Sequence, residues 1–201
     1  MTAARPRPTL RLGVPEDGAA VAAIYRPYVT STHISFEEVP PIPDEMARRI
    51  EEGGRTHPWV VAETEGHGLG YAMSTPHRRR AAYRWTVEVG LYVAQSHHRA
   101  GIGRHLYVAL LGLLAEQGYA GAMAGVTRPN PASVAFHRAM GFATVGLHPR
   151  LGFKQGAWRD VLWLHRSLRP ELEAERPPSG NPRPVTAALA ARHLAPSDRP
   201  S

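Results

Sequence analysis

The chain has no cysteine, which excludes disulfides, thiolate metal sites and a cysteine nucleophile, so any chemistry has to run without a protein thiol. No stretch approaches the ~20 apolar residues of a membrane span. Met1 to Pro8 holds arginine and proline without an apolar segment, so neither an anchor nor a leader is expected and the chain reads as cytoplasmic. Aromatic residues make up only 7%, and the basic segments lack the interleaved aromatics on which single-stranded nucleic acid stacks. Lysine and arginine outnumber aspartate and glutamate by 24 to 17, a formal charge of +7. They are scattered along the chain rather than gathered in one block, which suits a basic soluble surface better than a nucleic-acid-binding face. The histidines show no metal-ligand spacing, so no metal is expected.

What is present is organised around Thr86 to Gln117. Val87 to Val93 is β-branched and apolar around one carboxylate, Glu88, and reads as a buried strand. Beyond Gly101 and Gly103, the residues Ile102, Leu106, Leu110, Leu113 and Leu114 recur on one helical face up to Gly118, predicting an amphipathic helix with a glycine stop. A helix that starts in a glycine turn presents unpaired N–H groups and the positive end of its dipole, which together favour a phosphate. The spacing is neither that of a P-loop nor that of a dinucleotide fingerprint. On the residues alone, an anion cradle and a plain glycine turn both stay open.

With 201 residues and 43% hydrophobic content, one domain is expected. Thr9 to Val14 predicts a strand, Pro15-Glu16-Asp17 opens a helix, and Thr30 to Pro43 is a loop holding Phe36, an aromatic that either caps a core or lines a pocket. Asp44 to Glu52 predicts a second helix stopped by Gly53-Gly54, and Trp59 to Thr64 with Leu69 to Thr75 predicts a hairpin. After the central strand and helix, Ala120 to Thr127 is a strand, Asn130-Pro131-Ala132-Ser133 starts a helix ending near Gly141-Phe142, and Thr144 to Arg150 and Ala157 to Leu168 are the last strands. Residues 1–8 read as a flexible N-terminus, 9–168 as the domain, and 169–201, with seven prolines in 33 residues, as a largely disordered tail. Thr186 to Arg192 within that tail predicts at most a brief helix with little to bury it. The element order is βααβββαβαββ, an α/β (α+β) arrangement.

The strand followed by Arg99-x-Gly101-x-Gly103 resembles the acyl-coenzyme A signature of the GCN5-related N-acetyltransferases (GNAT), with His98 where that pattern has glutamine or arginine. Pro76 to Glu88, Asn130, Ser133, His137, Gly141-Phe142 and Gly152 to Val161 are further similar to the phosphinothricin N-acetyltransferase family, over residues 9 to 168. The resemblance implies the GNAT fold, a central mixed and mostly antiparallel twisted sheet flanked by helices. It implies acetyl-coenzyme A as cosubstrate and acetylation of the α-amine of phosphinothricin, methionine sulfoximine or methionine sulfone, in detoxification or herbicide resistance. It also implies a homodimer, coenzyme contacts from Leu91, Tyr92, Val93, Arg99, Ala100, Gly101, Ile102, Gly103, Arg104, Asn130 and Ser133, and acceptor contacts from Phe36, Arg78, Arg80 and Tyr83.

Arg78, Arg79 and Arg80 form by default a solvated basic run. Guanidinium groups pair bidentately with carboxylate and phosphinate, and the resemblance singles out Arg78 and Arg80 while leaving Arg79 to solvent. A single carboxylate in an apolar strand is commonly structural, but the resemblance makes Glu88 the general base. An ammonium must lose its proton before it can attack, and a carboxylate shielded from water has a raised pKa suited to taking it. A lone histidine is more often a packed helix residue, whereas the resemblance places His137 where many acetyltransferases keep the tyrosine that protonates the leaving thiolate. Asn130 is a helix N-cap on either view, and a backbone N–H near Tyr92 or Val93 is suited to stabilise the oxyanion.

Two departures, Glu37 as an acid after Phe36 where the resistance enzymes carry a basic residue and Met73 in place of an aromatic, point to a changed pocket and another small amino acid or amine as acceptor. Two competing readings are a GNAT enzyme that acetylates a protein N-terminus or lysine, and a non-catalytic basic module that binds nucleic acid or acyl-coenzyme A.

Overall fold

The structure is a computed structural model that describes residues 8–169 and 180–195. Residues 1–7 of the expected flexible N-terminus and residues 170–179 and 196–201 of the expected tail lie outside the described residues. Strands β1 (Thr9–Leu12), β2 (Trp59–Thr64), β3 (His67–Pro76), β4 (Thr86–Val93), β5 (Gly121–Thr127), β6 (Ala143–Lys154) and β7 (Ala157–Ser167) form one sheet in the order β1-β2-β3-β4-β5-β7-β6. Neighbouring strands are antiparallel except β4 and β5, which are parallel. The helices are α1 (Gly18–Thr30), α2 (Pro43–Gly53), α3 (Ile102–Gln117), α4 (Pro131–Ala139) and α5 (Ala187–Leu194). The first eleven elements follow the order read from the sequence, and α3 supplies the crossover that a parallel pair requires.

Strand alternation divides the apolar residues between two cores, one on each side of the sheet. Val60 and Ala62 of β2, Ala72 of β3 and Val87, Val89 and Val93 of β4 pack with α3 on one side. Trp59 and Val61, then Tyr71, pack with α1 and α2 on the other, and Tyr92 lies against them. Leu106, Leu110, Leu113 and Leu114 of α3 are fully buried, and burial on this scale stabilises by roughly 1.5–3 kcal/mol per side chain. Glu88 and Tyr92 share the face turned to α1 and α2, because they alternate with Val87, Val89, Leu91 and Val93. That alternation sets the chemistry on the opposite side from the leucine core.

Part of the expected tail is ordered. Thr186 caps α5 by accepting a hydrogen bond from the Leu189 N–H at 3.2 Å, and Val185, Leu189 and Leu194 are buried in the main core against α3 and β1. The sequence reading placed nothing there to bury the helix because its apolar partners lie on elements far earlier in the chain, β1 and α3. Gln117 at the end of α3 pins the approach, donating Nε2–H to the carbonyls of Arg55, Thr56 and Arg183 at 3.1, 3.0 and 2.9 Å. Trp85 Nε1–H donates to the Gly180 carbonyl at 2.9 Å, so this segment also buttresses the loop between β3 and β4.

Candidate active site

The two parallel strands pair only at Thr86↔Gly121, Val87↔Ala122 and Glu88↔Met123, although β4 runs on to Val93 and β5 to Thr127. Past Glu88 they part, while β4 stays paired with β3 as far as Val93↔Gly70. The β5-facing backbone of Gly90 to Val93 therefore borders a notch inside the sheet, and main-chain polar groups in such a place need a partner. Leu91, Tyr92 and Val93 all stand on this edge.

The helix that follows β4 begins at the end of the same notch. Arg99 and Gly101 both have positive φ, 62° and 79°, and the Arg104 and His105 N–H groups both return to the Gly101 carbonyl at 3.0 and 3.2 Å. The N–H groups before them lie ahead of the helical ladder, at the positive end of α3. A Cβ on Gly101 would meet no atom within 4 Å, so the turn leaves open room for an approaching group. A Cβ on Gly103 would stand 3.1 Å from Leu91 Cδ2, so the second glycine lets the helix seat against β4. His98 ties the turn to α1, with Nε2 2.9 Å from Tyr28 Oη and 3.1 Å from the Val93 carbonyl.

Glu88 lies on the wall of a cavity of 550 Å³ that also includes Phe36, Thr75, Gly90, Tyr92, Gly125 and Trp163. The sequence reading expects a carboxylate shielded from water; the Glu88 side chain is 31% exposed, because it stands on the sheet face that the helices leave open at this end. It is held by His77 Nδ1 at 2.9 Å and by Arg78 Nη1 at 3.3 Å, both on Oε1. Arg78 is itself 53% exposed and also donates to the His77 carbonyl. Arg80 and Tyr83 are exposed on the same loop, outside the cavity lining, with the Tyr83 ring against His77 at 5.7 Å.

Phe36 is seated by β6, over Gly152, where any Cβ would collide with its ring. Lys154, two residues further on β6, fixes the loop around it: the buried ammonium donates to the carbonyls of Val29, Ser35 and Glu37 at 2.8, 2.6 and 2.6 Å. Burial pulls its pKa below the usual lysine value. Lys154 and His77 are the residues that sequence reasoning left without a role, because only the folded strands bring Lys154 to the loop that holds Phe36 and His77 to Glu88. Glu37, the acid noted as a departure, is engaged by Arg49 at 2.7 and 3.3 Å and by Tyr25 Oη–H at 3.2 Å. These residues line a second cavity of 460 Å³ that shares Tyr25, Glu37, Met73, Thr75 and Tyr92 with the first.

Asn130 caps α4 as expected, its Oδ1 accepting the Ser133 N–H at 3.1 Å. His137, one turn later, is buried and lines neither cavity. Its Nδ1–H donates to the Ser133 carbonyl at 2.8 Å, so the neutral ring accepts the Tyr107 hydroxyl proton at Nε2, 2.9 Å away. Burial lowers the His137 pKa, partly offset by the Ser133 carbonyl, and burial alone lowers that of His57. Both rings then bind fewer protons folded than unfolded below the ordinary histidine pKa of about 6.5. Their stabilising contribution is full above that pH and is lost as the pH falls from it through the lowered folded values. Thermal melts across this range are expected to show a falling transition temperature on acidification and a flatter fall in His137→Gln, whereas equal slopes would contradict the buried neutral ring.

The acetyltransferase (GNAT) family model matches residues 19–142. The chain is 37% identical to the phosphinothricin N-acetyltransferase of Streptomyces viridochromogenes, over 88% of this chain and 94% of that protein. It is 31% identical to the L-methionine sulfoximine/L-methionine sulfone acetyltransferase of Pseudomonas paraeruginosa, over 79% of this chain and 93% of the relative. A GNAT-superfamily phosphinothricin acetyltransferase from Sinorhizobium meliloti, crystallised in complex with acetyl-coenzyme A, superposes with a TM-score of 0.81 at 36% identity, covering 88% and 96% of the two chains. The parted parallel strands, the glycine-initiated helix at their end and this similarity over most of the chain agree: the protein is an acetyltransferase of the GNAT family and belongs with the phosphinothricin N-acetyltransferases.

Proposed function

We propose that the protein transfers the acetyl group of acetyl-coenzyme A to the α-amine of a small, anionic amino acid of the phosphinothricin or methionine sulfone kind, with Glu88 as general base. The observation that carries this reading is the place of Glu88, where β4 and β5 part, on the wall of a cavity and beside an arginine. The open turn at Gly101 and the start of α3 fit the coenzyme's pyrophosphate, with Arg99 to Arg104 around it, Leu91 to Val93 presenting backbone to the pantetheine arm, and Asn130 and Ser133 at the start of α4. Acetyl-coenzyme A supplies the activated thioester carbonyl. Glu88 takes a proton from the substrate ammonium, the freed lone pair attacks that carbonyl, and a backbone N–H at Tyr92 or Val93 stabilises the oxyanion. The carbon–sulfur bond then breaks, the coenzyme leaves as its thiolate, and the second proton of the amine nitrogen passes to that sulfur as the amide forms. His137 enters as the residue that fixes the start of α4, because both of its nitrogens are engaged within the core.

Arg78 and Arg80 hold the anionic end of the acceptor, with Phe36 and Tyr83 beside it. Arg78→Ala and Arg80→Ala are expected to raise KM for methionine sulfone by the equivalent of about 1.5–3 kcal/mol, the worth of a charge-assisted bond, with little effect on a neutral amine. Steady-state coenzyme A release with the two acceptors gives the ratio, and equal losses for both would remove these arginines from the acceptor site.

The protein acts as a homodimer in this reading, which exposed apolar residues along one edge of the sheet support. β6 is the edge of the sheet, and Val145, Leu147, Leu151 and Phe153 on it, with Trp158 on β7, are all exposed, a patch of the sort that marks subunit contacts. Sedimentation at micromolar concentration is expected to give the mass of two chains, and a single-chain mass would count against the patch as an interface.

A further inference from the structure

His77 has no part in the chemistry described so far, yet the hairpin register brings it to the base. Thr75 stands opposite Glu88 across β3 and β4, and His77, two residues further, falls on the same side of the hairpin and diagonal to Glu88. Its ring is set edge-on to Tyr83 and Trp163, at 5.7 and 6.1 Å and 78° and 77°, and its side chain is only 15% exposed. A carboxylate that is ionised can only accept, so the 2.9 Å contact fixes the proton on Nδ1. Arg78 reaches the same oxygen, Oε1.

We propose that His77 is a positioning residue of acetyl transfer. Held between two aromatic rings, it donates Nδ1–H to Glu88 Oε1, the oxygen that Arg78 also reaches, and so fixes the carboxylate with Oε2 left to receive the proton of the amine. When Arg78 turns from Oε1 to meet the acceptor's anionic group, His77 keeps the carboxylate anchored. This inference rests on Glu88 being the base. Without the His77 donor, the glutamate has only an exposed arginine to orient it, and it loses that partner once Arg78 turns to the acceptor.

Three variants test the assignment. His77→Phe keeps a ring against Tyr83 and Trp163 but removes the donor, and is expected to lower kcat roughly 10-fold, the scale seen when a group that orients an active-site ligand is lost, with KM for acetyl-coenzyme A unchanged. His77→Asn places an amide N–H where Nδ1 stood and is expected to recover most of that loss. In a Glu88→Gln background, His77→Phe should add little, because the carboxylate it orients is gone. Long-range nitrogen–proton correlation spectra at alkaline pH provide a readout independent of turnover: the His77 ring should carry its proton on Nδ1. Wild-type kcat in folded His77→Phe, with Glu88→Gln impaired, would overturn the role of His77 and leave the base in place. Wild-type kcat in both variants would overturn the base and the inference together, and an Nε2-protonated ring would overturn the pairing itself.

Discussion

Replacing Glu88 by glutamine is expected to lower kcat for an amino-acid acceptor by ~10²-fold or more, the ordinary contribution of a positioned general base, while acetyl-coenzyme A still binds. The substitution keeps the size of the side chain and its hydrogen bond from His77, so the fold has no reason to respond. The removed property is the ability to take a proton. Because the interaction lost belongs to the transition state, kcat and kcat/KM should fall together. A Glu88 that served only to hold Arg78 and His77 in place would instead show a change in KM with kcat nearly intact. The acidic limb of the pH profile should change as well, since the group whose protonation limits the rate is no longer there.

Gly101→Glu is expected to abolish the stabilisation that acetyl-coenzyme A gives the wild-type protein. A ligand present at a hundred times its Kd stabilises by about 2.7 kcal/mol, and each kcal/mol shifts the melting temperature of a domain of this size by roughly 2–4 °C, so the loss is readily seen. A side chain at Gly101 has open space before it, and its main structural cost is the positive φ of 79°, about 1–2 kcal/mol for a residue other than glycine. Gly101→Ala carries the same backbone cost without the charge and is the control: it should be less stable than wild type yet still respond to the coenzyme. Gly103→Glu is expected to fail in both respects, because its Cβ would press on Leu91. A folded Gly101→Glu protein with the wild-type response would place the pyrophosphate elsewhere.

The sequence displayed the central strand and helix because their signals are local. The β-branched apolar run from Val87 to Val93, leucine spacing from Leu106 to Leu114 and the glycines at 101, 103 and 118 each specify structure within a few residues. The helix at Ala187–Leu194 was hidden because what makes it stable is not local: Thr186 caps it, but Val185 and Leu189 are buried by α3 and β1, and an alanine-rich window carries little periodic signal. The exposure of Glu88 was hidden for a related reason. An apolar strand reads as buried on both faces, and nothing in the run from Val87 to Val93 states that the helices cover only part of the side carrying Glu88 and Tyr92. His77 and Lys154 needed strand register before they could be seen as neighbours of Glu88 and Phe36. Phe36 itself was placed between core and pocket, and the structure sets it on the cavity wall, half-exposed above Gly152. Arg78 and Arg80 came into view through family resemblance alone, and of the two only Arg78 reaches the carboxylate.

The most direct test of this account is the initial rate of coenzyme A release by the wild-type protein across a panel of acceptors: methionine sulfone, methionine sulfoximine and phosphinothricin, then neutral amines, polyamines and peptides with free N-termini. The account predicts the highest kcat/KM among the anionic amino acids, with release that depends on the acceptor amine and collapses in Glu88→Gln. Turnover confined to peptides or polyamines, or a rate with amino acids no greater than that of acetyl-coenzyme A alone, would contradict it.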